Sequence, residues 1–218
     1  MILLNIVKLW RTALRIIVSI QCSKAPNLLR MKEKLKILLK KFADFDEQEL
    51  DNIASLFKPK SVKKNNILLQ EGSICREFYY VHTGGIRTFF NDRKGYEKTR
   101  YVMLDSNIGT TLSSFVSQKP SFEFIEALED TDLLAINYQD FYRLNREMDN
   151  WKNFYQKILE LAYSFQNRKI ESLVTLTAKQ RYEQLLEENP VFIQRLSNKV
   201  LASYLDMREE TLSRLKSG

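Results

Sequence analysis

Apolar positions along the chain change their spacing from helical to alternating and back to helical. Between Lys32 and Phe57 they fall at Leu35, Leu38, Leu39, Phe42 and Phe45, then at Leu50, Ile53, Ala54 and Phe57. The three- and four-residue steps predict helices, with Asp46 as the N-cap of the second and Pro59 as its stop. From Lys60 to Ile136 the period is two. One strand is expected from Val62 to Glu71-Gly72 and another through Phe78–Thr83, ahead of Gly84-Gly85. Ile86–Phe90 and Thr99–Leu104 flank a polar loop at Asn91–Gly95. Phe122–Leu128 and Leu133–Ile136 flank a turn at Glu129-Asp130. Seven or so short strands with glycine at the bends predict an antiparallel barrel or jelly roll. Helix returns at Tyr138. Asp149–Leu176 contains neither glycine nor proline, enough for about seven turns. Its apolar seam of Trp151, Phe154, Ile158, Leu161, Ala162 and Phe165, resumed by Ile170, Leu173 and Leu176, suits packing on the barrel at one side and on a second copy at the other. Phe154, Ile158, Leu161 and Phe165 are the residues expected at a dimer seam. A long helix inside a monomeric core is the competing interpretation. Thr177 is placed to cap a helix over Ala178–Glu188, and Pro190 separates that helix from the end of the chain.

The last stretch, Leu196–Ser217, has the pattern of a helix-turn-helix. Leu201 and Leu205 share one face of a first helix, and Leu212 and Leu215 one face of a second. Ala202 allows the two to cross closely, Met207 plugs the turn, and Ser197 is a suitable N-cap. Asp206 stands where such a turn needs a left-handed residue, a region that Asp tolerates. The second helix leaves Arg208, Glu209, Glu210, Ser213, Arg214 and Lys216 free. These side chains can reach base edges and phosphates. Alone, the pattern is shared with ordinary helical hairpins.

Charge changes the picture less than its total suggests. The formal net charge is +7, yet residues 1–44 hold ten Lys/Arg against two Asp/Glu, and residues 177–218 come to only +1. The basic excess therefore does not mark the DNA-reading candidate. Two cysteines, Cys22 and Cys75, are too few for a disulfide scaffold or a four-cysteine cluster and suit a reducing cytoplasm. Residues 1–22 draw a polar stripe of Asn5, Lys8, Arg11, Thr12, Arg15 and Ser19 along an otherwise apolar helix. Its interior charges make a poor membrane span, and it lacks the layout of a signal peptide. Membrane-surface contact is the less favoured account of it; the favoured one makes Met31 the start. With one histidine and two cysteines, no Ser/His/acid, Cys/His or metal-ligand set is visible, nor a Gly-rich phosphate loop. We expect no enzyme and no cofactor.

The order helix, small barrel, long helix, terminal helix-turn-helix resembles the Crp–Fnr family of bacterial transcription regulators over residues 32–216. Leu68-Leu69-Gln70-Glu71-Gly72, Phe78-Tyr79-Tyr80-Val81 and Gly84-Gly85 are similar to its barrel strands and glycine turns. Ile125–Asp130 followed by Leu133–Ile136 is similar to its later strands. Glu210-Thr211-Leu212-Ser213-Arg214 is similar to the recognition helix of the Fnr branch, whose matching Glu, Ser and Arg read the operator. Tyr182–Arg214, with Leu185-Leu186 and Pro190, looks most like the short regulators of Bacteroidetes.

The resemblance implies an α+β chain in four parts: an N-terminal extension over 1–30, an effector-type jelly-roll domain over 31–148, a dimerisation helix over 149–176 and a helix-turn-helix over 177–218. It implies double-stranded DNA, a second copy of the chain and RNA polymerase as partners, and a small-molecule effector at Gly109, Thr110, Thr111, Ser113 and Ser114. Two departures limit it. The family's nucleotide loop uses a Glu for ribose and an Arg for the cyclic phosphate. Gly109–Glu126 has Thr110 and Thr111 near the Glu position and no arginine, the neighbours being Arg100 and Arg143. A buried phosphate would there lose charge-assisted bonds of about 1.5–3 kcal/mol each, so cAMP is not the expected effector. The family's iron–sulfur branch needs more cysteines, and His82 alone leaves haem a weak proposition. The second departure is at the end: no wing is expected after the recognition helix, and Arg208 is a poor N-cap. The alternative function is a cyclic-nucleotide-fold sensor or scaffold that does not bind DNA.

Overall fold

The computed structural model describes residues 28–217, so the polar-striped segment over 1–22 lies outside the described residues. A helix over residues 28–39 (α1) buries Met31, Leu35 and Leu39. Helix α2, Glu47–Leu56, starts at a capping box: the Glu49 amide donates to Asp46 Oδ1 at 2.8 Å, and the Asp46 amide to Glu49 Oε2 at 3.0 Å. Pro59 does not close this helix, which ends at an extended Phe57. Pro59 lies inside strand β1, Lys58–Val62, opposite Leu134. That strand is at a sheet edge, where a missing N–H costs no ladder bond.

The strand expected from Val62 to Gly72 is broken. β1 ends at Val62, Asn65 turns the chain at φ 66°, and β2 covers only Ile67–Leu69. Then follow β3 (Glu77–Thr83), β4 (Gly85–Asn91), β5 (Glu97–Leu104) and β6 (Asn107–Gly109), the short helix α3 (Leu112–Ser117), β7 (Phe124–Ala127) and β8 (Thr131–Asn137). β6 and α3 are too short to show a period in the sequence. The strands make two antiparallel four-stranded sheets in the orders β1-β8-β3-β6 and β2-β7-β4-β5. This is the jelly roll expected from the alternation. Gly84, at φ 95°, lies so close to Thr131 that a Cβ there would sit 2.5 Å from its Oγ1, so only glycine fits.

Helix α4 (Tyr138–Glu147) is capped by Asn137 and leads into α5, Asp149–Thr175. An aromatic chain joins barrel to helices: Phe78 meets Phe141 at 5.1 Å, Phe141 meets Trp151 at 5.2 Å, and Trp151 meets Phe154 at 4.7 Å between ring centroids. Beyond α5 come α6 (Ala178–Glu188), α7 (Pro190–Arg195), α8 (Asn198–Tyr204) and α9 (Glu209–Ser217). Thr177 and Gln180 form the capping box of α6. A second apolar core forms here: Leu185, Leu196, Leu201, Leu205 and Leu212 pack with Val102 and Leu104 of β5. Among the described residues, no helix is long and apolar enough to cross a membrane.

Candidate nucleic-acid interface and barrel pocket

The turn between α8 and α9 has the expected geometry. Asp206 sits in the left-handed region at φ 51°, and the Met207 amide donates to the Ala202 carbonyl at 3.0 Å. Ser197 caps α8 by accepting from the Val200 amide at 3.3 Å. Leu212 is fully buried and Leu215 partly so, which turns the other side of α9 outward. Arg208, Glu209, Glu210, Ser213, Arg214 and Lys216 are all exposed. Lys216 Nζ donates to Asn198 Oδ1 at 2.7 Å, whereas Glu210 and Arg214 are exposed and have no ion pair among the described residues. Both are therefore free to contact a ligand.

The first helix of the pair is fastened to the barrel by charge and hydroxyl contacts. Ser203 Oγ accepts from the Thr99 amide at 2.7 Å and donates to the Glu97 carbonyl at 2.9 Å. Lys199 reaches Glu97 at 2.5 Å, and Lys98 pairs with Asp206. Arg195 joins Asp105, Glu129 and the Gly84 carbonyl. Burial pushes the Glu97 and Asp105 carboxyls up, but the hydrogen bonds from Lys199 and Arg87, and from Arg195 and the Gly84 amide, outweigh it and hold both below the ordinary carboxylate range. Behind Glu97, the buried Arg87 guanidinium bonds Glu97, Glu126 and Thr99 at once. Neither Arg87 nor Arg195 stands out in the sequence, because their carboxylate partners come from distant strands and turns of the barrel.

A cavity of about 350 Å³ opens between the barrel and α5. Gly109, Thr110 and Ser113 line it. Thr111 and Ser114 do not: Ser114 Oγ donates to the Lys119 carbonyl and accepts from the Cys75 amide, and the Thr111 hydroxyl is buried without a partner among the described residues. The Thr110 hydroxyl is already engaged with the Glu77 carbonyl at 2.8 Å. The nucleotide loop lacks arginine, but the pocket does not. Arg100 enters it from β5 and stands 3.4 Å from Glu123, whose side chain is 3% exposed. Burial raises the Glu123 carboxyl above its ordinary value, and the arginine offsets only part of that. With its oxygen toward the arginine, the Gln166 amide of α5 accepts from Arg100 Nε at 2.9 Å and from Nη2 at 3.2 Å. Along the sequence Arg100 is only a neighbour of the loop and Glu123 carries no signal; the fold, which sets β5 beside the stretch leading into β7, brings them together. His82 is buried and does not line the cavity. Burial, then Lys34 and Arg30, holds its imidazole below the ordinary value. Among the described residues, no group of three His, Cys, Asp or Glu could hold a metal ion.

The expected dimer seam needs correction. Phe154 is 1% exposed within the monomer, wedged against Phe42 and Trp151. Ile158 packs on the barrel core, and Phe165 meets Tyr101 edge-on at 4.9 Å. Of the four, only Leu161 is exposed, at 55%. The barrel takes the face that the seam was assigned to. Leu159, Tyr163, Ile170 and Val174, spaced by four and seven residues, form the exposed apolar stripe instead.

The chain thus carries, in order, a barrel of cyclic-nucleotide-binding type, a long helix and a helix-turn-helix. The cyclic nucleotide-binding domain family model matches residues 59–147. Among curated proteins, the anaerobic regulatory protein of Pasteurella multocida is 25% identical over 169 residues, covering 77% of this chain but only 59% of its own length. Among solved structures, FixK2 from Bradyrhizobium japonicum superposes with a TM-score of 0.65 at 18% identity, covering 74% of this chain and 83% of that one. A putative transcriptional regulator of the Crp/Fnr family from Eubacterium rectale gives 0.63 at 21% identity, covering 79% and 82%.

Proposed function

We propose that this chain is a DNA-binding transcription regulator that acts as a dimer and whose barrel pocket does not take cAMP. The observation that carries the proposal is α9: an exposed face of Arg208, Glu209, Glu210, Ser213, Arg214 and Lys216, held outward by a buried Leu212 and a left-handed turn at Asp206. A helix presented in this way enters a major groove, where Glu210 accepts from a cytosine amino group and Arg214 donates twice to guanine. The exposed stripe on α5 supports pairing with a second copy. Two-fold symmetry then calls for a palindromic site with half-sites about 34 Å apart. Control of RNA polymerase follows from the family likeness. In the pocket, the buried Glu123 carboxylate would repel a cyclic phosphate, and Arg100, the cation that could offset it, is engaged by Gln166 and Glu123.

The test is a set of single-base operator variants. Arg214→Ala is expected to cost about 1–3 kcal/mol on the preferred site and to relax choice at one base pair per half-site. Lys216→Ala is expected to weaken all sequences alike and to reduce the salt slope, as loss of a phosphate contact does. Equal loss on every sequence with Arg214→Ala would reduce that residue to a positioning contact. A sequence-independent footprint for the parent protein would remove the DNA-reading assignment altogether.

A further inference from the structure

The barrel pocket has an unusual charge arrangement for its depth. Glu123 is almost completely buried, and its only polar side-chain contact among the described residues is the long 3.4 Å approach of Arg100 Nη1. The better donors of Arg100 point elsewhere, at 2.9 and 3.2 Å from the Gln166 oxygen, with the guanidinium 5.8 Å above the Phe122 ring. A carboxylate withdrawn from water needs hydrogen bonds to offset its desolvation, and this one is left short of donors. Apolar and aromatic side chains, Phe42, Phe78, Ile108 and Phe165 among them, make up much of the remaining lining, beside the uncharged polar Thr88, Asn107, Thr110 and Ser113. Aromatic faces attract a cation as they do an apolar body. The volume of about 350 Å³ is at the small end for ligand sites.

We infer that this pocket binds a small molecule carrying a protonated amine on an apolar body, with the ammonium on Glu123 and the body among the aromatic and aliphatic side chains. The inference rests on reading the barrel as an effector domain and adds the chemical class of its ligand. An ammonium would supply the charge-assisted donors that Arg100 withholds. Gln166 belongs to α5, so the ligand would lie against the helix that connects the barrel to the DNA-reading end.

The experiment is calorimetric titration of the purified full-length protein, with no DNA present, using 2-phenylethylamine and n-hexylamine as probes. Phenylacetate, an anion of the same shape, and cAMP serve as counter-probes. Saturable binding of at least one amine is expected, with neither anion binding. Glu123→Gln keeps the size of the side chain and removes the charge, and it should weaken the amine at least about tenfold, the loss of one charged hydrogen bond. Arg100→Met lies at the half-exposed rim and removes the competing cation, so it should tighten amine binding. Should Glu123→Gln not fold, the opposite sign expected for Arg100→Met decides the matter: a site built for anions would lose its ligand there. Binding of phenylacetate or cAMP in place of the amines, no binding by either amine, or weakening by Arg100→Met each overturns the inference. Because DNA is absent, those results stand apart from the operator test of Arg214.

Discussion

Phe154 and Leu205 both sit in apolar cores, but the two cores are closed by different chemistry. Around Phe154, side chains from α1, α5 and the barrel interlock as rings and aliphatics, with Trp151 and Phe141 fully buried between them. Around Leu205 the apolar cluster is smaller and rests on the outer face of β5, where the surrounding joints are Lys98–Asp206, Lys199–Glu97 and Arg195 with Asp105 and Glu129. Apolar burial is not weakened by charge screening and is nearly indifferent to pH, whereas partly exposed ion pairs respond to both. The barrel with α1 and the first turns of α5 is thus one unit. The helix-turn-helix is attached to it by contacts that solution conditions can loosen.

The largest effect should come from breaking the first core. Phe154→Ala removes a ring wedged against Phe42, Phe45 and Trp151 and should cost about 3–5 kcal/mol of global stability, read as a drop in the denaturant midpoint at unchanged slope. A cost below about 1 kcal/mol would mean that the site collapses around the gap or that the helix is held elsewhere.

Arg195→Ala attacks the second joint and leaves Asp105 and Glu129 facing each other. It should cost about 1–2 kcal/mol, after discounting for the exposure of the pair. The loss should appear as faster amide exchange in α7 and α8 with the barrel strands unaffected. The same joint should open in acid. Because Glu97 and Asp105 titrate below their ordinary values of 4.5 and 3.8, the stability they contribute is complete above those values and disappears as pH falls through the folded values. Loss of protection in α8 ahead of β3 during acid titration is the expected result, and simultaneous loss would join the two regions into one cooperative unit.

A change confined to alkaline pH is expected at Lys169, whose ammonium donates to the Tyr204 carbonyl and lies 3.6 Å over the Tyr204 ring. Burial pulls it down to about 8 from 10.5, with Asp206 opposing and Arg181 assisting. The unfolded chain therefore binds this proton more tightly, and stability should rise with pH between about 8 and 10.5. Below that window the full cost of burying the charge is present. Lys169→Met should flatten the rise, measured as melting temperature against pH. A rise of the same slope in the variant would assign it to another group.

How much of this was legible in the sequence follows the range of each interaction. The caps at Asp46, Thr177 and Ser197 and the left-handed turn at Asp206 depend on residues within a few positions, and each stands where the sequence pattern puts it. The alternation of apolar side chains likewise determined the barrel. Pro59 was misjudged because its meaning depends on whether its strand lies at an edge, which is decided by β8 pairing on one side only. Phe154, Ile158 and Phe165 of the expected seam are covered within the monomer because α5 has apolar residues on more than one face, and only docking on the barrel decides which face is covered. The same holds for the charges. Arg87, Arg100 and Arg195 are ordinary basic residues along the chain, and their roles come from Glu126, Glu123 and Glu129, between 23 and 66 positions away. Periodicity and capping are local and so are written in the order of residues; strand register and helix docking set everything else, because only they decide which distant side chains share a space withdrawn from water.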